Sequence, residues 1–153
     1  MIAIVDTGGA NLASVVNALD RLGERCQLSS KASEIEKADR VILPGVGAAG
    51  SSMERLKKLG LIPCLKNLRQ PVLGICLGMQ LFFEGSEEGE QNGFSWISGR
   101  CVRFRFNSAE PQLKIPHMSW NRVAIKRKCN LFDGFDENPR FYFVHSYHVV
   151  TSE

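Results

Sequence analysis

The sequence lacks a long uninterrupted hydrophobic run, although 44% of its 153 residues are hydrophobic. The longest apolar stretch, around Cys76, is interrupted by glycines and is well short of the roughly 20 residues that cross a membrane as a helix. The N-terminal stretch "MIAIVD" has no basic residue before its apolar run and reaches Asp6 too early for a secretory signal peptide. We therefore expect neither a membrane segment nor secretion.

The sequence also lacks the cysteine patterns of disulfide-rich and zinc-binding proteins. Its five cysteines are odd in number and widely spaced, and no C-x-x-C motif occurs. This pattern argues against a disulfide framework and a zinc site. No metal and no cofactor are predicted for this chain. Free thiols are typical of a reducing compartment, which predicts a cytoplasmic protein. The cysteines are Cys26, Cys64, Cys76, Cys101 and Cys129.

A strong charge of either sign is absent, since the formal net charge is only +3. Basic residues nevertheless concentrate between Arg100 and Lys128, where Glu110 is the one acidic residue. Nucleic-acid binding is one interpretation, but a solvated sheet face or a face that meets an acidic partner is favoured, so no nucleic acid is predicted. The length fits one domain with a full core, which predicts a single domain over 1–153.

Short apolar segments alternate with helical patterns in the first half of the chain. The segments "MIAIVD", "RCQLS", "RVILPGVG" and "VLGI" predict buried strands that end in turns, the first in "TGGA" (7–10). Helical spacing predicts helices over 12–22, 33–36, 51–59 and 61–69. This alternation predicts an α/β fold with a parallel sheet covered on both faces.

The predicted helices carry recognisable end signals. Asn11 is predicted to cap the first helix and Gly23 to end it. Ser33 and Glu36 have the spacing of a capping box. The residues predicted to face the core are Leu12, Val15, Val16, Leu19 and Leu22 in the first helix, and Met53, Leu56 and Leu59 in the third.

The pattern changes after about Gly93. "CVRFRF" alternates apolar and basic residues with period two, which predicts a half-exposed antiparallel strand. "PHMSWNRVAIK" and "RFYFVHSYHVV" predict further strands, so the last third is expected to contribute antiparallel strands to a mainly parallel α/β fold.

The stretch "PVLGICLGMQLFFE" (71–84) predicts a nucleophile elbow at Cys76. A buried strand precedes the cysteine, a helix follows it, and Gly74 and Gly78 flank it, as a strained strand-to-helix turn requires. Exposed amides at the helix start favour the thiolate form. A structural thiol is the alternative for any cysteine, and it is the interpretation adopted for the other four.

Two backbone segments are predicted to stabilise an oxyanion beside Cys76. The amide of Leu77 follows the nucleophile directly, as in other elbows. The loop "PGVG" (44–47) follows a parallel strand and therefore lies at the same carboxyl edge of the sheet. "GVGAAG" (45–50) also fits a dinucleotide-binding spacing, but no acidic residue follows on a second strand, so it is interpreted as the oxyanion loop.

The string "GICLGMQ" resembles the class I glutamine amidotransferases. The stretches "DTGGANL", "LPGVG", "PHMSWNRV" and "FYFVHSYH", in this order, resemble the glutaminase subunits of imidazole glycerol phosphate synthase, which serve histidine biosynthesis. The resemblance runs from Met1 to about Val150, and Ser119 stands where that family usually has Gly. It implies a flavodoxin-like class I glutaminase fold.

The resemblance also implies a reaction and a partner. Cys76 would attack the side-chain amide of glutamine, form a thioester and release ammonia, which passes to a cyclase subunit, a (β/α)8 barrel. Leu77, Val46 and Gly47 would form the oxyanion hole. Gln80, Glu88, His145, Ser146 and Tyr147 would bind glutamine, and Asn11 and Trp120 would lie near the cyclase interface.

Several of these residues have ordinary alternative roles. Gln80 fits a solvated helix position, Glu88 lies in an acidic loop with an insecure alignment, and Trp120 fits a core position in a generic domain. The indole N–H needs a polar neighbour, which favours a rim position for Trp120.

The sequence contains no H-P-E motif, which supplies the base and its orienting carboxylate in the resembled family. Its three histidines are His117, His145 and His148. None has the sequence context of the base, so an incomplete catalytic site is predicted and the chain is expected to be inactive as written. The expectation is a shortened glutaminase, because the motifs that serve only chemistry are intact. A short relative that only docks on the cyclase is the main alternative, and another cysteine hydrolase is a third.

Overall fold

The computed structural model of the chain describes residues 1–8, 11–89, 91–106 and 113–151. Gly9 and Ala10 of the predicted first turn, and Glu110 of the basic segment, lie outside the described residues. The chain forms two compact units, one built from Met1–Val102 with the chain from Val149 onward, the other from Arg103–His148. A single domain over 1–153 stays a prediction.

The first unit contains a four-stranded parallel sheet. Its strands are β1 (Ile2–Val5), β2 (Cys26–Ser29), β3 (Arg40–Leu43) and β4 (Val72–Gly74), in the order β2-β1-β3-β4. Because all pairings are parallel, the carboxyl ends of these strands share one edge of the sheet. The four predicted strands are confirmed, and their order is that of flavodoxin-like sheets.

Helices cover both faces of this sheet, because its strands carry apolar side chains on both sides. On one face, Ile4 and Ile42 pack with Leu19 of α1 (Leu12–Arg21). The opposite face forms a larger core with α2 (Ala32–Glu36), α3 (Ala49–Lys58) and α4 (Leu61–Asn67). Its fully buried members include Val5, Ile35, Leu43, Leu56, Leu61 and Leu65.

Helix α1 matches its prediction except at its ends. Asn11 occupies the N-cap position with a left-handed backbone, φ 73°, and its side chain makes no capping hydrogen bond. The Ser14 hydroxyl donates to Asn11 Oδ1 instead. Leu22, predicted to face the core, is 75% exposed, because the helix ends at Arg21 and Gly23 turns the chain away with a φ of 72°.

The capping box predicted for α2 is wrong. The helix begins at Ala32, so Lys31 is its N-cap residue and Ser33 lies within the first turn. Ser29 at the end of β2 provides the hydrogen bonds at the start of α2. Its hydroxyl accepts from the Lys31 amide N–H and donates to the Glu34 carboxylate. The Ser29 hydrogen bond, followed by that of Lys31, lowers the pKa of Glu34.

Helices α3 and α4 lie close to their predicted ranges. Helix α3 begins two residues earlier than predicted, at Ala49, and buries Leu56, whereas Leu59 lies beyond its end and is 40% exposed. Gly60, with a φ of 66°, separates the two helices, and α4 buries Leu61 and Leu65.

A second sheet mixes parallel and antiparallel strands. It contains β5 (Gly85–Ser86), β6 (Gln91–Asn92), β7 (Gly99–Arg103) and β10 (Tyr147–Thr151) in the order β10-β7-β5-β6. Strand β5 is antiparallel to β6 but parallel to β7. The antiparallel pairing expected for "CVRFRF" is therefore wrong at β5, because the chain crosses over after β6 and returns in the direction of β5. The strand also ends at Arg103, before Phe104 and Phe106.

The second unit contains an antiparallel pair formed by β8 (His117–Arg122) and β9 (Arg140–His145). These strands confirm the prediction, although "RFYFVHSYHVV" is divided at Ser146 into β9 and β10. A short 3₁₀ helix, Asn130–Phe132, lies in the connection between β8 and β9.

Side chains of the β8–β9 pair alternate between two faces. The outward face carries Met118 opposite Val144 and Trp120 opposite Tyr142, each at least 50% exposed. We name these four residues the aromatic face. The other face carries His117 opposite His145, which are both half-buried.

We expect substitutions at Leu19 and Leu22 to separate the core from the surface of α1. Leu19→Ala should lower the free energy of unfolding by about 2–3 kcal/mol, because Leu19 is 9% exposed and packs beneath the sheet. Leu22→Ala should change it by less than about 0.5 kcal/mol. Urea unfolding followed by circular dichroism measures both, and equal losses would contradict the placement of Leu22 outside the core.

Candidate active site

Cys76 lies on a strained turn between β4 and α5 (Leu77–Gln80). Its backbone has φ 54° and ψ −115°, a conformation that non-glycine residues rarely adopt and that costs about 1–3 kcal/mol. The thiol is exposed. The predicted elbow is therefore confirmed as a strand, a strained cysteine and a helix, although that helix is only four residues long.

The two glycines that flank Cys76 are needed because backbone passes close on both sides. A Cβ at Gly78 would overlap the carbonyl oxygen of Leu43 at the end of β3. A Cβ at Gly74 would lie 2.6 Å from the Cα of Met79. The amide of Ile75 donates to the Leu43 carbonyl at 3.0 Å, which extends the parallel ladder up to the elbow. The turn is thus pressed against the end of the neighbouring strand.

The loop of Pro44 to Gly47 lies directly against this turn. A Cβ at Gly45 would be 2.8 Å from both the amide nitrogen of Gly78 and the Cβ of Leu77. Val46 is 44% exposed, and Gly47 has a φ of 89°. The first amides of a helix have no acceptor within it, which leaves the Leu77 N–H free of intrahelical bonding. The structure therefore brings together Cys76, Leu77 and the loop that sequence reasoning assigned to the oxyanion.

Gln80 is the last residue of α5, the short helix that begins directly after Cys76. Its side chain is half-buried, and Gln80 Oε1 is buried without a hydrogen-bond partner among the described residues. A buried acceptor without a donor is costly, by about 1–3 kcal/mol. Such an atom is suited to a ligand that brings an N–H group.

Glu88 lies in the turn between β5 and β6, where its amide donates to the Ser86 hydroxyl at 3.0 Å. Burial raises the pKa of its carboxyl. The neighbouring Gly89 packs on the first turn of α3, since a Cβ there would lie 3.4 Å from the Gly50 amide nitrogen. This first turn of α3 comes directly after the 44–47 loop. The turn that carries Glu88 therefore lies close to that loop.

The other cysteines differ in environment. Burial is the main cause that raises the pKa of Cys64 and of Cys101 to about 11 in each case. The charges of Glu88, Glu87 and Cys76 act in the same direction on Cys101, so the elbow and the acidic turn both lie within electrostatic range of it. Cys26 is half-buried, and Cys129 is exposed. The interpretation of Cys129 as a buried structural thiol is wrong, because Cys129 lies in a connection just before the 3₁₀ helix.

His145, Ser146 and Tyr147 belong to the second unit, at the junction of β9 and β10. The Ser146 carbonyl accepts the Phe104 amide at 3.0 Å, and the Tyr147 carbonyl accepts the His145 Nδ1–H at 2.7 Å. All three histidines of the sequence lie in this second unit, and Cys76 lies in the first.

The two residues assigned to a partner interface are both exposed. Trp120 is 59% exposed on the aromatic face, and its ring centroid lies 5.6 Å from that of Tyr142. Asn11 is exposed at the start of α1. Sequence reasoning missed the remaining members of the aromatic face, which the period-two alternation of "HMSWNR" and "RFYFVH" indicates once the register is known.

Sequence reasoning also missed a contact between His117 and His145, described below. Neither histidine is adjacent to a carboxylate in sequence, and only the pairing of β8 with β9 brings them together. Within the described ranges, no three His, Cys, Asp or Glu side chains are grouped so that they could hold a metal ion. None of the helices in those ranges is long and apolar enough to span a membrane.

Known proteins match almost the entire chain. The family model "Glutamine amidotransferase class-I" matches residues 3–153. "Imidazole glycerol phosphate synthase subunit HisH" of Haemophilus influenzae is 49% identical over 152 residues, which cover 99% of this chain and 74% of that protein. The protein of the same description from Sulfurimonas denitrificans is 46% identical over 157 residues, covering 100% of this chain and 75% of its own length.

A solved structure supports the same fold. The crystal structure of a glutamine amidotransferase superposes with a TM-score of 0.71 at 14% identity, covering 94% of this chain and 71% of that one. The parallel sheet, the elbow at Cys76 and the match over residues 3–153 agree. The chain belongs to the class I glutamine amidotransferase family, and its relatives include the HisH subunits of imidazole glycerol phosphate synthase.

Proposed function

We propose that this chain performs the cysteine half of a glutaminase reaction and delivers ammonia to a cyclase subunit. The observation that carries the proposal is the exposed Cys76 on a strained elbow, with the 44–47 loop packed against it. Sγ attacks the side-chain carbonyl carbon of L-glutamine, ammonia leaves, and water releases glutamate from the thioester.

The proposed oxyanion hole uses backbone donors. The tetrahedral intermediate carries negative charge on the former carbonyl oxygen, and donors fixed beforehand stabilise it without reorganisation. Leu77 supplies the amide that follows the nucleophile, and the Val46–Gly47 peptide is the second proposed donor. The close packing of Gly45 on Leu77 and Gly78 supports this pairing.

The proposed glutamine site combines structural observations with the family resemblance. Gln80 Oε1 is a buried acceptor that a substrate N–H would satisfy. Glu88 would bind the substrate's cationic amino group, and this positive charge would oppose the effect of burial, which raises the pKa of the carboxyl. The roles of His145, Ser146 and Tyr147 are carried over from the resemblance alone.

Turnover needs a base that these residues do not supply. The 153 residues contain no H-P-E motif, and none of the three histidines has the sequence context of the family's base. The step proposed for these residues is therefore the formation of a covalent adduct at Cys76, and the base for hydrolysis is assigned to none of them.

The proposed partner is the (β/α)8 barrel of the cyclase subunit, in a heterodimer. The aromatic face supports this assignment, because exposed Trp and Tyr with apolar neighbours are typical of interface centres. Asn11 is proposed to lie near the same partner. The five free thiols favour the cytoplasm as the compartment.

A second candidate function is docking without catalysis. The exposed aromatic face favours it, because a surface of this kind could bind a partner independently of Cys76. Binding of the cyclase subunit that is indifferent to Cys76→Ala and accompanies an unreactive Cys76 would favour this candidate over the first.

We expect Cys76 to react selectively with a diazoketone analogue of glutamine. The reagent should modify Cys76 at least about tenfold faster than Cys129, because only Cys76 combines an exposed thiol with a substrate site. Peptide mass spectrometry locates the adduct, and Cys76→Ser should abolish it. Adducts divided evenly between Cys76 and the exposed control Cys129 would contradict the proposed site.

We expect the pH dependence of alkylation by iodoacetamide to distinguish the buried thiols of Cys64 and Cys101 from the exposed ones. Cys64 and Cys101 should remain unmodified at neutral pH and react only towards about pH 11, because burial raises the pKa of each thiol and keeps it protonated below that value. Peptide mass spectrometry over a pH series on folded protein measures this. Rapid modification of either residue at pH 7 would contradict their burial.

We expect Gly78→Ala to damage the elbow more than Gly23→Ala damages the turn after α1. The new methyl group at position 78 would overlap the Leu43 carbonyl, whereas position 23 has open space and only its positive φ to strain. Gly78→Ala should cost about 2–4 kcal/mol and Gly23→Ala about 1 kcal/mol. Urea unfolding measures both, and equal costs would show that the close approach at Leu43 is not limiting.

We expect Trp120→Ala to weaken binding of the cyclase subunit by about 30-fold, because a buried interface Trp typically contributes about 2 kcal/mol or more. Leu131→Ala is the matched control, since Leu131 is 60% exposed but lies off the aromatic face. Isothermal titration calorimetry measures both affinities. An equal effect of the two substitutions would contradict the assignment of the aromatic face to the cyclase interface.

A further inference from the structure

A continuous chain of hydrogen bonds runs across the face of the β8–β9 pair that carries His117 and His145. Tyr147 O lies 2.7 Å from His145 Nδ1, and His145 Nε2 lies 2.9 Å from His117 Nδ1. His117 Nε2 then lies 2.9 Å from Asn121 Nδ2 and 3.1 Å from Ser119 Oγ. Both imidazole rings are half-buried, whereas Asn121 at the other end of the hydrogen-bond chain is exposed.

Strand register produces this arrangement. His117 and His145 are directly opposite in the antiparallel pair, where facing side chains are close neighbours. Ser119 and Asn121 follow His117 at intervals of two and therefore share its face. The rings of Phe143 and Phe104 pack against His145, with centroids 5.7 and 4.9 Å away, and restrict its movement.

The carbonyl at one end of the hydrogen-bond chain identifies where each proton lies. A carbonyl oxygen only accepts, so the neutral His145 carries its proton on Nδ1, and its Nε2 is an acceptor. His117 must then donate from Nδ1, which leaves its own Nε2 as an acceptor. That nitrogen takes a hydrogen bond from the Asn121 amide, which can donate at this position. Both neutral rings therefore carry the proton on Nδ1, which is the less common form of a free histidine in water.

We propose that His117, held by Asn121 and Ser119, is a positioning residue that fixes the tautomer and orientation of His145 and, through His145, the Tyr147 carbonyl of the proposed glutamine-binding segment. Only the expected effect on the reaction with the glutamine analogue rests on the proposed function. The hydrogen-bond chain itself stands on the geometry of the second unit.

Ser119 gives this end of the chain a second partner. Its hydroxyl lies 3.1 Å from His117 Nε2 and 3.2 Å from Asn121 Oδ1. Both atoms are acceptors in this arrangement, so the single hydroxyl proton is donated to one of them at a time. Asn121 is exposed, so water competes for its amide, whereas Ser119 is half-buried. The hydroxyl is therefore an alternative donor to His117 Nε2, beside the Asn121 amide.

The test uses two substitutions of His117, each of which retains a hydrogen-bonding group near one of the two ring nitrogens. In His117→Asn the amide nitrogen replaces Nδ1 and can still donate to His145. In His117→Gln the amide group lies near the position of Nε2, and the donor to His145 is lost. ¹⁵N-labelled protein of these 153 residues, at about pH 9, where imidazole is neutral, gives the tautomer of each ring from two-bond ¹H–¹⁵N correlations.

The expected spectrum has His145 in the Nδ1–H form in the unsubstituted chain and in His117→Asn. In His117→Gln the His145 nitrogens should shift towards averaged values, because Nε2 loses its donor and only the Tyr147 carbonyl then favours the Nδ1–H form. His148 is the internal reference, since its ring stacks on Phe104 and its Nδ1 is buried without a partner among the described residues. Its signals should remain unchanged in both variants.

The functional measurement compares two reagents at Cys76. His117→Gln should slow modification by the diazoketone analogue of glutamine by about threefold to tenfold, as expected for loss of one hydrogen bond, and should leave iodoacetamide modification unchanged. His117→Asn should restore most of the rate with the glutamine analogue. A purely structural loss would instead change both reagents together.

Two results would overturn the proposal. One is an Nε2–H form of His145 in the unsubstituted chain, which needs no variant to be observed. The other is an unchanged His145 tautomer in His117→Gln. A failure of the proposed function is distinct, because Cys76 would then show no preference for the glutamine analogue even in the unsubstituted chain, while the ring tautomers would still be as described.

Discussion

The close contact between the Cys76 turn and the end of β3 is the constraint on which the first unit depends. Gly78 packs on the Leu43 carbonyl, Gly45 packs on Leu77 and Gly78, and the Ile75 amide donates to the same Leu43 carbonyl. A side chain at either glycine would separate β3 from β4 at the edge where the nucleophile stands. The same contact therefore stabilises the sheet, holds Cys76 in a strained conformation and brings the 44–47 loop to it.

Strain at Cys76 persists because its surroundings leave no alternative. The larger core on one face of the sheet buries Leu77, Leu81, Phe82 and Phe83, which follow Cys76 directly. A relaxed backbone at position 76 would move these side chains out of the core. Hydrophobic burial after the nucleophile thus maintains the conformation that exposes its thiol.

Much of this architecture is readable in the sequence, because it depends on local patterns. Short apolar runs identified β1 to β4, and G-x-C-x-G identified the elbow. The errors occur where a long-range contact decides. Ser33 has the spacing of a capping residue, but Ser29 performs that task from the preceding strand. Leu22 continues the helical pattern, but Gly23 turns the chain before Leu22 reaches the core. The contact of His117 with His145 needs the register of two strands separated by a long connection, which no local pattern specifies.

The two faces of the β8–β9 pair have different chemistry in strict alternation. Exposed Met, Trp, Tyr and Val lie on one side, and the hydrogen-bonded histidines lie on the other. A shift of one residue within either strand would exchange the faces, because side chains alternate with a period of two. Insertions and deletions in this region are consequently tolerable in the connection around the 3₁₀ helix but not within the strands. A change of length in the connection would leave the register of β8 and β9 intact, so both faces would keep their chemistry.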